Sequence, residues 1–363
     1  MQSVGGVLLG IVLFFSSFGV LFWNEGRVDL SKIAKKAEVV SAGQVDANKN
    51  GVFASVSGEV TTDSTLGDGL YLAPGMYLSI SRIAEIYAWE EDSKSETTTN
   101  TGGSETTTTT YTYEKAWTSD PQDSSEFQEV TGHENQVQTQ TETSLQTESI
   151  NVGAWAVDGR SVDLPGGEQL TLNEERVTLP AGAQISGGYV YLNGADPALP
   201  DIGDERVKYT ALMPGFDGTI FGEVDGANGQ IARYTDKNGN AFYRIFEGGR
   251  DEALATMHGE YVMALWIFRF VGFLMMWIGL SMVFGPISAL LDILPIFGRL
   301  SRTLIGGVTF LIAGLLSIVT ILVSMILHSL VALIIAVLLI IGGIIGGLYW
   351  YKNNKMQPVV TSA

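Results

Sequence analysis

Two stretches of this chain are too long and too apolar to sit in a water-soluble core. Val4–Trp23 is a twenty-residue run without a charge, and Leu304–Tyr351 holds no Asp, Glu, Lys or Arg. About 20 apolar residues cross ~30 Å of hydrocarbon as a helix, so the second stretch is long enough for two crossings. His328-Ser329 near its middle is the natural turn, giving spans Leu304–Leu327 and Leu330–Trp350. Another span is expected at Tyr261–Phe284, interrupted by Arg269. Val4–Trp23 reads as a signal-anchor, not a cleaved signal peptide: it lacks a basic leader and a small-residue cleavage site. Trp23, Trp350 and Tyr351 fall where interfacial aromatic anchors belong.

The region between the first two spans has the opposite character. Residues 24–260 carry 16 Lys+Arg against 38 Asp+Glu, a net of −22 in a chain whose formal charge is −18. Such a surface repels polyanions, so no nucleic-acid partner is expected. With no cysteine, disulfides, thiolate metal sites and cysteine nucleophiles are excluded. The absence of Asn-x-Ser/Thr sequons in a domain of this size leans towards a prokaryotic source.

Four spans would place both termini on one face and the acidic domain on the other. Arg299, Arg302, Lys352 and Lys355 mark the terminal face; Arg27, Lys32, Lys35 and Lys36 mark the opposite one. Long domains translocate largely regardless of charge, which favours cytoplasmic termini with the domain outside or lumenal. The fold class is therefore a membrane α+β protein with one N-terminal and three C-terminal transmembrane helices and a large strand-rich extramembrane domain. The connection 285–303 is broken by Pro286 and Pro295 and reads either as an interfacial helix or as a plain helix extension. A short tail follows at 351–363.

Within the domain, Leu30, Ile33, Ala34 and Ala37 recur at helical spacing, so an amphipathic helix leaves the first span. Strand signals then dominate at 52–60, 76–91, 106–117, 184–192, 206–213, 218–224, 231–234 and 241–246, separated by Gly-, Asn- and Asp-rich turns. Asn238-Gly239 has hairpin chemistry. The Thr-rich stretch 93–110 reads as a projecting polar hairpin or as disorder, and the polar stretch 136–149 as a loop.

Signals for chemistry are sparse. His133, His258 and His328 lie far apart, and none has a metal-ligand partner three or four residues after it. His133 could be catalytic, but no motif surrounds it, and a hydrogen-bonded structural role fits better. Asp46–Gly51 opens like a calcium loop, yet position twelve is Ser57 where Glu is required, so a turn is expected. No phosphate, dinucleotide or hydrolase motif appears, and no catalytic residue, metal or cofactor is assigned. Arg269 stands out, because an arginine at mid-membrane costs about 2.5–3.5 kcal/mol on insertion scales. It reads as structural or as a pore or ligand contact. With no ionisable partner inside the spans, Asp292 is its nearest acidic candidate. Gly342, Gly343, Gly346 and Gly347 overlap two small-x-x-x-small pairs, suited to close packing within the bundle or between subunits.

Several short blocks form a series: Phe22 with Asn24-Glu25-Gly26-Arg27; Arg82, Glu85, Tyr87, Trp89 and Glu91; Trp117 and Phe127; Gly132-His133-x-Asn135; and Gly203-Asp204-x-Arg206-Val207. Arg269-x-x-Gly272, Gly279-Leu280 and Asp292-x-x-Pro295-x-Phe297 continue it. Together these blocks, colinear over most of the chain, resemble the transmembrane protein 43 family, also called LUMA; the Thr-rich stretch and 136–149 depart from the pattern. The resemblance implies four spans and a lumenal domain. In eukaryotes it implies the endoplasmic reticulum and inner nuclear membrane, nuclear-envelope organisation, and lamins and emerin as partners. A prokaryotic member would sit in the plasma membrane.

A non-enzymatic membrane scaffold is the leading reading, with the lipid bilayer and other membrane proteins, or self-association through the spans, as partners. A channel or transporter subunit comes second. Its weakness is the lack of polar pore-lining runs, since only Ser281, Thr309, Ser317, Thr320 and Ser324 are scattered through the spans. A membrane-anchored enzyme comes third.

Overall fold

A computed structural model of the protein describes residues 4–99, 105–291, 298–329, 334, 338, 341–346 and 350. The first elements are α1 (Val4–Glu25), α2 (Leu30–Ala34), β1 (Glu38–Val40), β2 (Asn50–Thr61), β3 (Ser79–Thr99) and β4 (Glu105–Thr118). Next come β5 (Thr143–Gln146), β6 (Ser149–Val152), β7 (Trp155–Asp158), β8 (Glu168–Gln169), β9 (Gln184–Ser186) and β10 (Tyr189–Tyr191). The remainder are β11 (Glu205–Leu212), β12 (Phe216–Asp225), β13 (Gln230–Ala232), β14 (Tyr234–Thr235), β15 (Ala241–Phe242), β16 (Arg244–Glu247), α3 (Arg250–Leu291) and α4 (Gly298–His328). The chain forms two compact units: 30–100 with 105–258, and 1–29 with 101–104 and 259–363.

The first unit is built on two sheets. In one, β2 pairs with β6, β6 with β7, β7 with β13, β13 with β12, and β12 back with β2, so five strands close in a ring. Closure removes the open edges a small sheet would otherwise expose. Val56, Val60, Ile150, Val152, Ile220, Val224 and Ile231 fill the interior around Trp155, which is fully buried. Its indole N–H donates to Ser41 O at 2.9 Å, so the ring is buried without an orphan donor. The second sheet runs β4-β3-β11-β10-β9, with β5 on β3 and β8 on β11. Strand β11 shows why one face becomes core. Val207, Tyr209 and Ala211 are buried while Arg206, Lys208 and Thr210 between them are half-exposed, the two-residue period of a strand.

The sequence-based strands are found with a few differences. The stretch 184–192 is a hairpin, because Gly187 (φ 56°) and Gly188 (φ 83°) supply two adjacent left-handed residues. The stretch 231–234 divides between β13 and β14, which pair with different partners. Asn238-Gly239 does turn β14 into β15. Within 136–149, expected as a loop, Thr143–Gln146 joins the edge of β3. The Thr-rich stretch forms a polar ribbon in which Ser95 faces Thr109 and Thr97 faces Thr107, hydroxyls bonded at 2.8 and 3.0 Å. The amphipathic helix after α1 is the short α2.

The second unit holds the apolar helices. Stretches long and apolar enough to cross a membrane lie at Gly5–Ala34, Arg250–Pro286 and Ile305–His328. The fourth expected span, 330–350, falls largely outside the described residues, although Ile341–Gly346 is helical. Helix α3 continues beyond the expected end of its span, through Pro286 to Leu291, and α4 begins at Gly298. Asp292 and Pro295 lie outside the described residues. The contacts fix the helix directions. Gly10 meets Gly279, Leu21 meets Gly272 and Asn24 meets Leu265, so α1 and α3 are antiparallel. Phe22 O accepts from Ser324 and Gly26 adjoins His328, so α1 and α4 are parallel. A Cβ on Gly279 would stand 2.7 Å from Gly10 O and from Phe14 N, a separation no side chain tolerates.

That approach yields a prediction. Gly279→Leu separates α1 from α3 and lowers the melting temperature of the detergent-solubilised full chain by several degrees. Gly19→Leu, where no described residue lies within 4 Å of the added Cβ, leaves it unchanged.

Candidate functional sites: a helix junction and an aromatic sheet face

Most of the polar residues picked out by the sequence gather in two places. One is the junction of α1, α3 and α4. Arg269 donates to both oxygens of Glu25, Nε to Oε1 at 2.7 Å and Nη2 to Oε2 at 2.8 Å. Among the described residues its partner is therefore Glu25; the sequence-based candidate Asp292 lies outside them. Glu25 closes α1 just past Trp23, the expected end of the first span, and the antiparallel packing brings it level with Arg269. A two-pronged guanidinium–carboxylate contact is the geometry in which an ion pair best offsets the loss of water. The Glu25 side chain is 3% exposed.

Its neighbours complete the junction. Asn24 is fully buried and donates to Leu265 O at 2.9 Å, capping a carbonyl of α3. Gly26 leaves room for His328, whose Nε2 would lie 2.5 Å from a Cβ at that position. The His328 ring packs on Phe22, and its Nδ1 contacts Ser324 O at 2.9 Å. Arg27 lies over the Trp23 and Phe268 rings at 5.6 and 5.5 Å. Asn24 Oδ1 and Arg27 Nη1 are buried with no partner among the described residues. Lower in the bundle the hydroxyls are occupied by helix contacts. Ser281 meets Thr309 at 3.0 Å, Ser317 meets Met276 Sδ at 3.5 Å, and Thr320 bonds back to Leu316 O. Gly342 and Gly346 are exposed, and a Cβ on either would meet none of the described residues within 4 Å.

The second place is the non-core face of the sheet around β3. Register sets Glu85 opposite Arg206, Tyr87 opposite Trp117 and Trp89 opposite Lys115. The Arg206 guanidinium lies 4.2 Å from the Trp117 ring and 3.8 Å from the Tyr189 ring. It donates to Glu85 through Nε at 2.8 Å, and Lys208 reaches the other oxygen at 2.8 Å. Burial pushes the Glu85 carboxyl up, but the Lys208 and Arg206 hydrogen bonds win and hold it below the ordinary range. The same Glu85 contact holds the Lys208 ammonium above its usual value.

Beyond the end of β11 the edge of β3 is finished by side chains. Asn135 accepts the Trp89 N–H at 2.7 Å and donates to Trp89 O at 2.8 Å, as a neighbouring strand would. Gln122 accepts the Glu91 N–H at 2.8 Å. Asp204 O accepts the Tyr87 N–H, and Gly203 N–H donates to Tyr87 O. His133 stacks on Tyr113 at 3.9 Å, meets Trp89 edge-on, and contacts Glu129 O through Nδ1. Its environment is that of a packed structural histidine.

Arg82 lies on the opposite, core face. It donates to Asp68 Oδ2 at 2.7 Å, and Tyr209 O–H donates to the same oxygen at 2.5 Å. Oδ1 accepts the Leu70, Tyr71 and Leu72 N–H groups at 3.0, 3.0 and 2.8 Å. The sequence offers no lead to Asp68: its only signal is a turn residue before Gly69, and nothing in the spacing joins it to Arg82 or Tyr209. No group of three or more metal-ligating side chains occurs among the described residues.

Residues 86–330 match the family model described as Transmembrane protein 43. The chain belongs to the transmembrane protein 43 family. Curated relatives agree: the rat Transmembrane protein 43 is 24% identical over 88% of this chain and 84% of its own length. The human protein is 23% identical over the same shares, and the Drosophila melanogaster homolog is 24% identical over 76% of this chain and 75% of its own. No solved structure matches. The protein is thus an integral membrane member of the transmembrane protein 43 family, with apolar helices flanking a strand-rich domain.

In this member the buried Asp68 has a measurable signature. Burial raises its carboxyl, but Tyr209, the Leu70 and Leu72 N–H groups and Arg82 together hold it below the ordinary carboxylate value. A carboxyl lowered in the folded state stabilises the fold above its unfolded value, and that stabilisation is lost as pH falls through the folded value. Asp68→Asn is expected to cost about 3–5 kcal/mol at neutral pH by leaving Arg82 unpaired. Urea midpoints across acidic pH should then fall less steeply in the variant than in the parent.

Proposed function

We propose that this protein is a non-enzymatic scaffold that organises other membrane proteins. Four spans hold it in the bilayer, both termini are cytoplasmic, and the acidic domain is outside or lumenal. The plasma membrane is its place in a prokaryote, and the endoplasmic reticulum or inner nuclear membrane in a eukaryote. The observation that carries the reading is how the intramembrane polar groups are used. Arg269 is tied to Glu25, and the Ser and Thr hydroxyls described above bond across or along helices, which is the use expected of a packed bundle and not of a water-lined path. The half-exposed Trp89, Trp117, Tyr189 and Arg206 face adds residue types enriched where proteins meet.

The test is reconstitution beside extraction in native lipid particles. The scaffold reading expects no ion flux from protein-loaded liposomes and a reproducible set of co-extracted membrane proteins that shrinks in Trp89→Ala and Lys115→Glu variants. Flux above empty liposomes that disappears in Arg269→Leu would instead establish a channel.

A further inference from the structure

We infer that the exposed lysines of α2 and of the turn that follows it are a docking surface for the anionic headgroups of the membrane that α1 crosses. Lys32, Lys35 and Lys36 are three cations within five residues, and no other five-residue window of 24–260 holds more than two. All three are exposed. The rest of the domain is strongly acidic and is repelled by an anionic surface, so this cluster is the place where contact is electrostatically favoured.

The lysines are presented by a fixed element. Ala34 and Ala37 are buried in a cluster with Phe221, Phe246, Ala253, Leu254 and Met257. Arg250 Nη2 donates to Lys35 O at 2.9 Å, so the turn that follows α2 is held from within the same unit. The buried alanine side fixes which way the lysines point. Leu30 and Val39 beside them are exposed apolar residues of the kind that enter a headgroup layer.

Chain length ties the cluster to the bilayer. Four residues join the end of α1 at Glu25 to the start of α2 at Leu30. At ~3.3–3.6 Å per residue, that link cannot carry Lys32 more than a few nanometres from the end of the first span. Already held at the surface, three lysines suffice where a free protein would need more, because the encounter is intramolecular. Headgroup contact by these lysines requires no client protein, so it does not depend on a scaffold role.

Amine footprinting of the full chain in nanodiscs tests it. Acetylation of Lys35 and Lys36 is followed by mass spectrometry in discs of phosphatidylcholine alone and of phosphatidylcholine with phosphatidylglycerol. Exposed Lys94 and Lys237 serve as controls. Expected is a several-fold slowing at Lys35 and Lys36 in the anionic discs alone, reversed by high salt, with the controls unchanged. Equal rates in both discs, or slowing of all four lysines alike, would overturn the inference. So would protection by free inorganic phosphate in neutral discs, which would indicate a soluble anion site.

Discussion

The contact between Glu25 and Arg269 sets the terms for the transmembrane unit. A lone arginine at that depth would have to draw water or headgroups towards it, or distort its helix. Paired through two hydrogen bonds it can face the bundle, and the pairing fixes the register of α1 against α3. Leu21 against Gly272 and Gly10 against Gly279 then follow along the same antiparallel seam. Glycine is needed there because the backbones come within contact distance. The parallel partner, α4, is seated by Ser324 and His328 at the level of Phe22 and Gly26. The residues of Asn24-Glu25-Gly26-Arg27 thus act separately: Asn24 caps a carbonyl, Glu25 supplies the counter-charge, Gly26 provides clearance and Arg27 makes the cation–ring contact.

The domain solves a different problem, that of sheet edges. One sheet closes into a ring. The other cannot, because β3 extends well past the end of β11. Its exposed peptide groups are met by the side-chain amides of Asn135 and Gln122 at Trp89 and Glu91. On either face of β3 a carboxylate is gripped by cations and ring or hydroxyl groups, Glu85 on one side and Asp68 on the other. These buried polar contacts specify register: a one-residue slip would exchange the two faces and leave both carboxylates without partners.

Much of this could be read from the residues because burial imposes local patterns. Apolar runs locate the spans, and the two-residue alternation of 206–212 locates a core strand. Asn238-Gly239 locates a turn. What the residues do not disclose is long-range pairing. Arg269 is visible as a costly group, yet its partner lies 244 positions earlier, at a span end that reads as domain. Asp68 is invisible for the same reason, since its five donors come from its own turn and from two separate strands. The division of 231–234 between two strands and the pairing of 143–146 with β3 depend on which neighbour is available in space, and propensity carries no record of that.

The most direct test of this account is a double-mutant cycle on Glu25 and Arg269 in the detergent-solubilised full chain. Glu25→Leu, Arg269→Leu and the double variant would be compared by reversible unfolding. Each single change strands a buried charge and should cost about 3–5 kcal/mol, while the double variant should cost clearly less than the two together. Additive losses would contradict the account, since the two side chains would then be acting independently and the junction would not rest on their contact.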